Sequence, residues 1–467
     1  MQQKGERSMN KKCDVLYIHS SRNPINDDKT LYGVVPMGII SILNQIRDKG
    51  INVIGVNLAL EFLLDPEFDL SSFLNNTEYK ILMTDLHWYE HSFGAMYVTE
   101  LSKKIHPNIP TVIGGYTATI YASEIAQKFP YVDYIVTGDS DLPMALLTDR
   151  LLNKSDLAFS AIPNLYWRQE GKVQSPKETW VQTTLEDLDC VRFDFFEHSE
   201  KIPYVVSNGS FMNSPAHWIC VARGCKFNCS YCCGANKNMN SLFNRCNILL
   251  RSPEKLCDDF CALAEKGIRV SPSHDFQMFG KEFYSDLFAR IREKNIKPGL
   301  YLECFQLPTK DFIDEIAKTF DKNNLVLEIS PISGSEQLRK ENGKYFSNEE
   351  FYETVKYILS KKIYLQLYYT VNLAGETQAQ FMETYIQAKY LHLTYRLNSI
   401  FYQKVVIDPL AGLRDREDVK VSFNSFMDYY NYCLIPQKSS ATITGFEAES
   451  EMPHEKKTEL FNSIFKK

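Results

Sequence analysis

A cluster of four cysteines at residues 223–234, "RGCKFNCSYCCG", contains the side chains of this 467-residue chain that are best suited to chemistry. Cys225, Cys229 and Cys232 have the spacing C-x3-C-x2-C, and Cys233 follows directly. Cysteines in such a cluster can bind a metal, form disulfides, act as redox thiols or pack as small apolar side chains. The spacing and the surrounding elements distinguish these roles.

Zinc and redox roles fit this spacing poorly. A structural zinc site wants four ligands, commonly as two well-separated C-x2-C pairs, and no second pair lies downstream in the sequence. A disulfide oxidoreductase places C-x-x-C at the start of a helix in a thioredoxin-like fold. Cys229 and Cys232 alone match that pattern, but the third cysteine and the barrel-like elements around the motif disfavour it.

An iron–sulfur cluster fits the spacing better. A cubane cluster has four irons, each of which needs an external ligand, so three thiolates leave one iron open to a substrate or cofactor. We therefore interpret Cys225, Cys229 and Cys232 as the ligands of a catalytic [4Fe–4S] cluster. Cys233 is interpreted as a neighbour, because two adjacent cysteines rarely reach two corners of one cluster.

The composition indicates a globular protein of two or three domains, since 467 residues exceed one ordinary core. No run approaches eighteen apolar residues, and the polar start "MQQKGERSMNKK" lacks the apolar stretch of a signal peptide, so we expect a cytoplasmic protein without a membrane partner. A net charge of −6 disfavours a nucleic-acid partner. Disulfides are rare in the cytosol. Eight further cysteines are therefore predicted to be small buried side chains: Cys13, Cys190, Cys220, Cys246, Cys257, Cys261, Cys304 and Cys433.

Residues 13–153 alternate short apolar runs with helical patterns. Continuous apolar strands separated by helices predict a parallel sheet covered on both faces, and we expect a doubly wound, flavodoxin-like (Rossmann-type) α/β domain. In such sheets ligands bind beyond the carboxyl ends of the strands. Paired glycines at such an end allow a ligand to approach the backbone, or merely permit a tight turn. The segments predicted to lie at these ends are "TDL" (84–86), "GGYTAT" (114–119) and "TGDSD" (137–141).

The remaining chain divides into four further parts. Residues 1–12 are predicted to be disordered, and residues 154–215 to be an irregular interdomain linker with a β-hairpin around Glu170-Gly171. Residues 216–408 carry a second βα series of six units, too few for a closed barrel. This predicts an open, partial (β/α)6 TIM-like barrel with its chemistry at the carboxyl ends of the strands. Residues 409–467 are predicted to form a mixed α/β C-terminal tail.

The cysteine loop follows the first strand of the second series, and "GCKFNCSYC" resembles the signature loop of the radical S-adenosylmethionine (radical SAM) superfamily, C-x3-C-x-aromatic-C. In that superfamily the three cysteines hold a [4Fe–4S] cluster, and the methionine amine and carboxylate of S-adenosylmethionine chelate the fourth iron. Electron transfer from the reduced cluster cleaves this cofactor, usually to a 5′-deoxyadenosyl radical. The resemblance places Tyr231 beside the adenine.

Two downstream segments resemble further motifs of the superfamily in the same order. "VLEISPISGSEQLRKENGK" is similar to the fourth-strand region, where Glu328 and Ser330 would contact the ribose and methionine portion of S-adenosylmethionine. The alternative for Glu328 is a buried structural carboxylate paired with an arginine. "VNLAGET" resembles the fifth-strand G-x-P-G-E-T pattern, with Ala374 in the proline place. Gly375 would allow close approach to the adenosyl group, and Glu376 is expected to position the loop.

The second-strand motif of the superfamily is the least well matched. It is a Gly-Gly-Glu-like segment that grips the methionine amine, and "SPSHDF" stands in its place without the glycines. Ser273, His274 or Asp275 would have to substitute for it.

A doubly wound domain before such a barrel resembles the cobalamin (B12)-binding subclass of the superfamily. Cobalamin-binding domains of the methionine-synthase type show D-x-H-x-x-G after the first strand, then S-x-L, then Gly-Gly. Here the first loop, "SSRNPINDDKT", has no histidine, so a lower histidine ligand to cobalt is not expected. Thr84 and Leu86 take the outer places of S-x-L, Gly114 and Gly115 those of Gly-Gly, and Gly138 lies in a turn similar to the "GE" turn of the subclass.

The segment "DLHWYEHSFG" imitates D-x-H-x-x-G, but Glu90 holds the glycine place and the segment follows a different strand. His87 or Trp88 is a candidate for lining the cobalamin face and blocking the lower side of the cobalt. A core or solvent-facing histidine is the alternative.

The resemblance implies an enzyme that cleaves S-adenosylmethionine reductively, and our leading hypothesis is a cobalamin-dependent methyltransferase acting on an unactivated carbon or phosphorus centre. One alternative is an enzyme of the same architecture that performs a rearrangement or cyclisation, with or without cobalamin. Another is a non-catalytic iron–sulfur or cobalamin sensor, which would not need the downstream barrel motifs. The expected partners are a small-molecule or peptide substrate and a flavodoxin- or ferredoxin-type electron donor.

We predict that anaerobic reconstitution gives about four irons per chain, and that Cys225→Ala loses most of the cluster absorbance because one iron then lacks its thiolate. Iron content and the visible absorption spectrum measure both. The matched control, Cys233→Ala, removes a thiol from the same loop and should keep the cluster. A wild-type chain that takes up no iron would contradict the assignment, as would equal losses in the two variants.

Overall fold

A computed structural model of the chain describes residues 11–26, 29–205, 213–371, 373–404, 408–435, 446–448 and 451–466. The chain folds as two compact α/β units. Unit 1 comprises residues 1–183, 187–213 and 424–440, and unit 2 comprises residues 184–186, 214–423 and 441–467. Among the described residues, no helix combines the length and the apolar character that crossing a bilayer requires.

Unit 1 alternates strands with helices. Its strands are β1 (Lys11–Lys12), β2 (Val15–His19), β3 (Val53–Asn57), β4 (Thr77–Glu78), β5 (Ile81–Asp85), β6 (Thr111–Gly114), β7 (Tyr134–Val136), β8 (Leu165–Gln169) and β9 (Lys172–Gln174). Its helices before residue 183 are α1 (Met37–Asp48), α2 (Leu58–Leu64), α3 (Leu70–Asn75), α4 (Ser92–Ile105), α5 (Tyr116–Ile120), α6 (Ala122–Lys128) and α7 (Asp141–Leu151).

The main sheet of unit 1 has seven strands in the order β3-β2-β5-β6-β7-β8-β9. The first five are parallel. Every residue of β2 and of β5 is buried, which is the pattern of parallel strands covered on both faces. Leu16 and Leu82 pack in one apolar cluster with Val98, whereas Ile113 packs in another with Ile125. The doubly wound domain expected from the sequence is confirmed.

The predicted linker differs from the structure, because its described residues up to 205 belong to unit 1 except for 184–186. Strand β8 pairs antiparallel with β7, and β9 pairs with β8, so the predicted hairpin is present and extends the sheet. Glu170 and Gly171 have φ values of 51° and 74° at its turn, as a two-residue type I′ turn requires. The pairing covers the open edge of β7.

The N-terminal prediction is wrong at two residues. Lys11 and Lys12 form β1, which pairs with β4 in parallel. Residues 1–10 lie outside the described part of the chain.

Unit 2 carries the second βα series. Its strands are β10 (Ala216–Ile219), β11 (Ala222–Arg223), β12 (Leu249–Leu250), β13 (Arg269–Pro272), β14 (Leu300–Cys304), β15 (Leu325–Ile332), β16 (Tyr364–Val371), β17 (Ile400–Lys404), β18 (Val419–Val421) and β19 (Phe446–Ala448). The helices from residue 236 onward are α8 (Asn236–Phe243), α9 (Pro253–Ala264), α10 (Lys281–Glu293), α11 (Lys310–Thr319), α12 (Glu336–Glu341), α13 (Asn348–Ser360), α14 (Gln378–Tyr395), α15 (Phe426–Leu434) and α16 (His454–Ser463), of which α15 belongs to unit 1.

The six long strands of unit 2 form one parallel sheet in chain order, β10-β13-β14-β15-β16-β17. In the described residues β10 and β17 do not pair with each other, so the sheet is the open, partial barrel that the sequence predicts. Strand β14 shows the alternation that positions a site: Leu300, Leu302 and Cys304 are buried, while Tyr301 and Glu303 are half-buried on the opposite face. Polar side chains can therefore line one face of the sheet.

The predicted C-terminal tail, 409–467, is divided between the units. Helix α15 lies in unit 1, where its Phe426 packs with Met96 and Ile125. Helix α16 lies in unit 2, where Lys457 forms an ion pair of 2.5 Å with Glu376 and both side chains are 1% exposed. The aromatic side chains of α15 thus complete an apolar core instead of forming a separate tail.

We predict that Gly94→Ala destabilises unit 1 strongly. A Cβ at residue 94, in α4, would lie 1.9 Å from Ser21 O and 2.2 Å from Ser20 Oγ, and such overpacking costs roughly 1–3 kcal/mol or more. The matched control is Gly38→Ala in α1, where a Cβ meets nothing within 4 Å and should stabilise the helix by up to about 1 kcal/mol. Urea unfolding measures both, and equal effects would contradict the close approach of the first loop to α4.

Candidate functional site

The cysteine loop connects the first strands of unit 2 to α8 and is held by its own backbone. Asn236 donates from its backbone N–H to Phe227 O at 2.9 Å and from its side chain to Cys225 O at 2.9 Å. The N–H of Cys232 donates to Cys229 O at 3.3 Å. These bonds fold the loop on itself, so that its three spaced cysteines occur in one short turn.

The three thiols suit a group that brings positive charge. Cys225, Cys229 and Cys232 form no disulfide and are partly buried. Burial raises the pKa of the Cys225 thiol and raises that of Cys232 to about 12. A multivalent metal group would offset this cost, because coordination deprotonates a thiol outright. The residues present therefore fit an iron–sulfur cluster.

Tyr231 is a residue of the cysteine loop whose side chain lies near the sheet. Burial first, then the proximity of Cys229 and of the Glu303 carboxylate, raises its pKa well above the ordinary value. The side chain is thus neutral and close to both the thiols and the polar face of β14. The contact of Tyr231 with adenine stays a prediction.

A second segment packs directly on the cysteine loop. Gly343 has φ 91°, and a Cβ there would lie 3.2 Å from Cys229 Sγ. Its carbonyl accepts a 2.9 Å hydrogen bond from Gln306, while the neighbouring Asn342 bonds Ser230 at 2.5 Å. Glycine fits this approach at positive φ without a shift of Cys229.

Glu328 and Ser330 meet a carboxylate that sequence reasoning missed. Glu303 is the register partner of Glu328 across β14 and β15, and Ser330 Oγ lies 3.5 Å from a carboxylate oxygen of each. The hydroxyl of Tyr301 donates to Glu328. Burial, reinforced by the charge of Glu303, raises the pKa of Glu328 to about 7.

The arginine alternative for Glu328 is not what the structure shows. Within the described residues Glu328 forms no ion pair with an arginine; it bonds Tyr301 and Ser330 instead. A carboxyl group that titrates near neutrality can both donate and accept hydrogen bonds at its site.

The weakly matched second-strand segment packs against the cysteine loop. His274 Nε2 lies 3.0 Å from Gly224 O, and its Nδ1 lies 2.8 Å from Ser273 Oγ. Burial lowers the pKa of His274 to about 4, so the ring is neutral. Asp275 caps the helical turn 276–279 by accepting from Gln277 N at 2.9 Å. His274 thus contacts the start of the cysteine loop, whereas Asp275 orders its own segment.

Two residues of the fifth-strand motif, Gly375 and Glu376, have packing or ion-pair partners within the protein. Gly375 has φ 78°, and a Cβ there would lie 2.8 Å from the Arg416 guanidinium. Glu376 is held in its buried ion pair with Lys457, in agreement with the expected positioning role. Residue 372 of the motif lies outside the described residues.

Asp408 is a further residue that sequence reasoning missed. It accepts from Cys233 N at 3.2 Å, its charge raises the pKa of Cys232, and burial raises its own pKa to about 6. The sequence offers no motif for it, since it follows the end of β17 as a lone aspartate. Cys233 itself is buried, as a packing residue would be.

The residues predicted to bind cobalamin lie at the carboxyl end of the unit 1 sheet. Thr84 donates to Ile18 O at 2.8 Å. Leu86 is fully buried in the apolar core. Gly115 has φ 117°, and a Cβ there would meet the backbone of residues 86 and 87 at 2.7–2.8 Å. Gly114 ends β6, and Gly138 has φ 63° and donates to Thr119 Oγ1 at 3.0 Å.

His87 and Trp88 follow β5 at the same edge. Their rings pack edge to face with centroids 4.4 Å apart, and burial lowers the pKa of His87 to about 4. Trp88 is 38% exposed. A neutral imidazole behind a partly exposed indole presents an aromatic surface at the end of the strand.

Comparisons with known proteins support the cobalamin-type assignment of unit 1. Residues 27–148 match the B12 binding domain family. The chain is 24% identical over 302 residues to an anaerobic magnesium-protoporphyrin IX monomethyl ester cyclase of Rubrivivax gelatinosus, covering 62% of this chain and 50% of that protein. It is 25% identical over 140 residues to an uncharacterized methyltransferase of Pyrococcus horikoshii, covering 30% and 28%. The chain thus spans half or less of the length of these curated relatives.

Two solved structures are similar in fold. The structure of TsrM from Kitasatospora setae, a radical S-adenosylmethionine methyltransferase with cobalamin and a [4Fe–4S] cluster bound, matches with a TM-score of 0.65 at 13% identity, covering 98% of this chain and 91% of that chain. OxsB, a cobalamin-dependent S-adenosylmethionine radical enzyme with aqua-cobalamin and S-adenosylmethionine bound, matches with a TM-score of 0.58 at 12% identity, covering 91% and 55%. The predicted resemblance to radical SAM proteins with a B12-binding domain is confirmed, and the fold is theirs.

We predict that Gly343→Ala lowers the iron content after reconstitution, because the new methyl group presses on Cys229. The matched control is Gly267→Ala, which also has positive φ (67°) but has nothing within 4 Å of a Cβ. Each substitution should cost about 1–2 kcal/mol through its backbone conformation, measured by thermal unfolding. Iron loss in both variants would attribute the effect to backbone strain and contradict a specific contact with the cysteine loop.

Proposed function

We propose that the chain is a radical SAM enzyme that cleaves S-adenosylmethionine reductively at a [4Fe–4S] cluster held by Cys225, Cys229 and Cys232. The observation that carries the proposal is the cysteine loop: three free, partly buried thiols in a tight turn beside a six-stranded parallel sheet. Cys233 is buried with its backbone N–H bonded to Asp408, and two adjacent cysteines rarely reach two corners of one cluster. This leaves a three-thiolate donor set, which suits a cluster with one open iron.

The polar face of the sheet supplies groups for the rest of S-adenosylmethionine. Glu328 and Glu303 offer carboxylate oxygens for hydroxyl or ammonium hydrogens, and Ser330 offers a hydroxyl between them. Tyr231 adds an aromatic ring next to the thiols. Because Glu328 has a pKa of about 7, it can accept a hydrogen bond from a ribose hydroxyl when it is ionised.

We further propose that unit 1 binds cobalamin. The family match over residues 27–148 and the doubly wound sheet support this, and the aromatic pair His87 and Trp88 lies at the edge where such sheets bind ligands. When bound, the reduced cluster supplies the electron that cleaves S-adenosylmethionine, and cobalamin supplies a carrier for a methyl group. The residues of the chain position these groups and keep water away from them.

Methyl transfer to an unactivated carbon or phosphorus centre is the reaction we favour, because the similar solved structures include a methyltransferase. Cyclisation is the second candidate, since a relative that matches 62% of this chain is named a cyclase. Both reactions need an external electron donor, for which we propose a flavodoxin or ferredoxin. The substrate would be a small molecule or a peptide.

With dithionite as reductant, we expect the reconstituted chain to convert S-adenosylmethionine to 5′-deoxyadenosine or S-adenosylhomocysteine, and to copurify with or bind hydroxocobalamin. Liquid chromatography with mass spectrometry measures the products. Glu328→Gln should weaken S-adenosylmethionine binding with unchanged iron content, because it removes a carboxylate of the polar face. The exposed Glu282→Gln is the control.

The possible results separate the candidates. S-adenosylhomocysteine formation together with bound cobalamin supports methyl transfer. Formation of 5′-deoxyadenosine without S-adenosylhomocysteine, with or without bound cobalamin, supports the second candidate. A chain that holds its cluster but yields neither product contradicts both, and equal S-adenosylmethionine affinities in the two variants contradict the role given to Glu328.

A further inference from the structure

Three ligand-type side chains of unit 1 are not used by the proposed function: His19, Asp85 and His91. All three are fully buried, and one ligand atom of each lies within 4.8 Å of the others. Parallel pairing of β2 and β5 brings the strand ends at His19 and Asp85 together. The helical turn 89–91 then returns His91 to them. Residues far apart in sequence thus meet in one closed space.

Both imidazoles face the same carbonyl oxygen. His19 Nε2 and His91 Nε2 each lie 3.1 Å from Tyr32 O. A carbonyl oxygen only accepts, so each ring has to carry a proton on Nε2 to bond it. Tyr32 has φ 60°, a left-handed conformation that costs roughly 1–2 kcal/mol and that holds its carbonyl against both rings. In this arrangement His91 Nδ1 has no hydrogen-bond partner.

Asp85 has an unused acceptor as well. Its Oδ1 accepts from the Tyr17 hydroxyl at 2.7 Å and lies 2.8 Å from His19 Nδ1, while its Oδ2 has no partner. If His19 is protonated on Nε2 alone, its Nδ1 presents a lone pair to the carboxylate. A buried acceptor without a donor costs about 1–3 kcal/mol. A cation within the cluster would satisfy these lone pairs together.

We propose that His19, Asp85 and His91 bind one divalent transition-metal ion, such as Zn²⁺ or Fe²⁺, in a structural site of unit 1. Imidazole nitrogens and carboxylate oxygens are ligands of these ions. Bonds of about 2.0–2.2 Å require the side chains to draw together by small rotations. The Tyr17 hydroxyl orients Asp85, as hydrogen-bonded neighbours of metal ligands do.

The cluster lies where three segments of unit 1 meet, so a bound ion would have a structural role. It would tie the end of β2 to the end of β5 and to the start of α4, and thereby fix the segment that carries His87 and Trp88. Because the three side chains are fully buried, the ion would enter during folding. Its ligands are separate from the cysteine loop, so metal binding can be measured without the reaction proposed above.

The test uses the full chain in a background of Cys225→Ser, Cys229→Ser and Cys232→Ser, so that no iron–sulfur cluster contributes metal. Cells are grown with added Zn²⁺, Fe²⁺, Mn²⁺ or Co²⁺, and the metal content of the purified protein is measured by inductively coupled plasma mass spectrometry. We expect about one ion per chain, as for a single structural site. Growth with Co²⁺ should add visible absorption bands of the bound ion.

Variants separate this site from adventitious binding. His91→Ala and Asp85→Asn should lose the ion, whereas the matched control His106→Ala should keep it, because His106 is not part of the cluster and its Nε2 lies 3.1 Å from Leu74 O. Absence of metal from the parent chain under every growth condition overturns the proposal and leaves a proton or a water in the cluster. Equal metal content in the parent and in folded His91→Ala overturns it too.

Discussion

The constraint on which both units depend is that parallel strands end at one edge of their sheet. In unit 2 this edge brings the loop after β10, which carries the cysteines, next to His274, which follows β13 and bonds Gly224 O. In unit 1 it brings Asp85, at the end of β5, to His19, at the end of β2. Hydrogen bonding along the strands thereby brings groups that are remote in sequence within hydrogen-bonding distance of each other.

Burial then sets the protonation state of the acidic side chains of unit 2. Desolvation disfavours the charged form of an acid, which raises the pKa of Glu328 and Asp408 and keeps the thiol of Cys232 protonated in the absence of a metal. Each of these groups lies close to another acid, so its proton or a bound cation is needed for neutrality. The polar face of the sheet and the cysteine loop are thus both poised to accept positive charge, whether from a metal, an ammonium group or hydrogen-bond donors.

The sequence predicts the parts of the fold and site that rest on local pattern. Apolar runs and helical periodicity indicate both βα series, and cysteine spacing indicates the ligands. Glu303 could not be predicted, because it meets Glu328 only through the strand register. The return of α15 to unit 1 likewise depends on which apolar surface its aromatic residues cover. His91 does not stand out in the sequence, because "DLHWYEHSFG" imitates D-x-H-x-x-G at His87, whereas His91 stands three residues before the tightly packed Gly94.

A glycine that matches a ligand-binding motif can be required by the fold alone. Gly115 resembles the second glycine of a cobalamin motif, yet a Cβ there would collide with the backbone at residues 86 and 87. The fold alone therefore requires this glycine, with or without cobalamin. Gly343 differs, because its close neighbour is the side chain of Cys229, so its conformation serves the cysteine loop itself. Support for cobalamin consequently rests on the family match and the aromatic pair at the strand end, whereas support for the iron–sulfur cluster rests on the packing around the thiols.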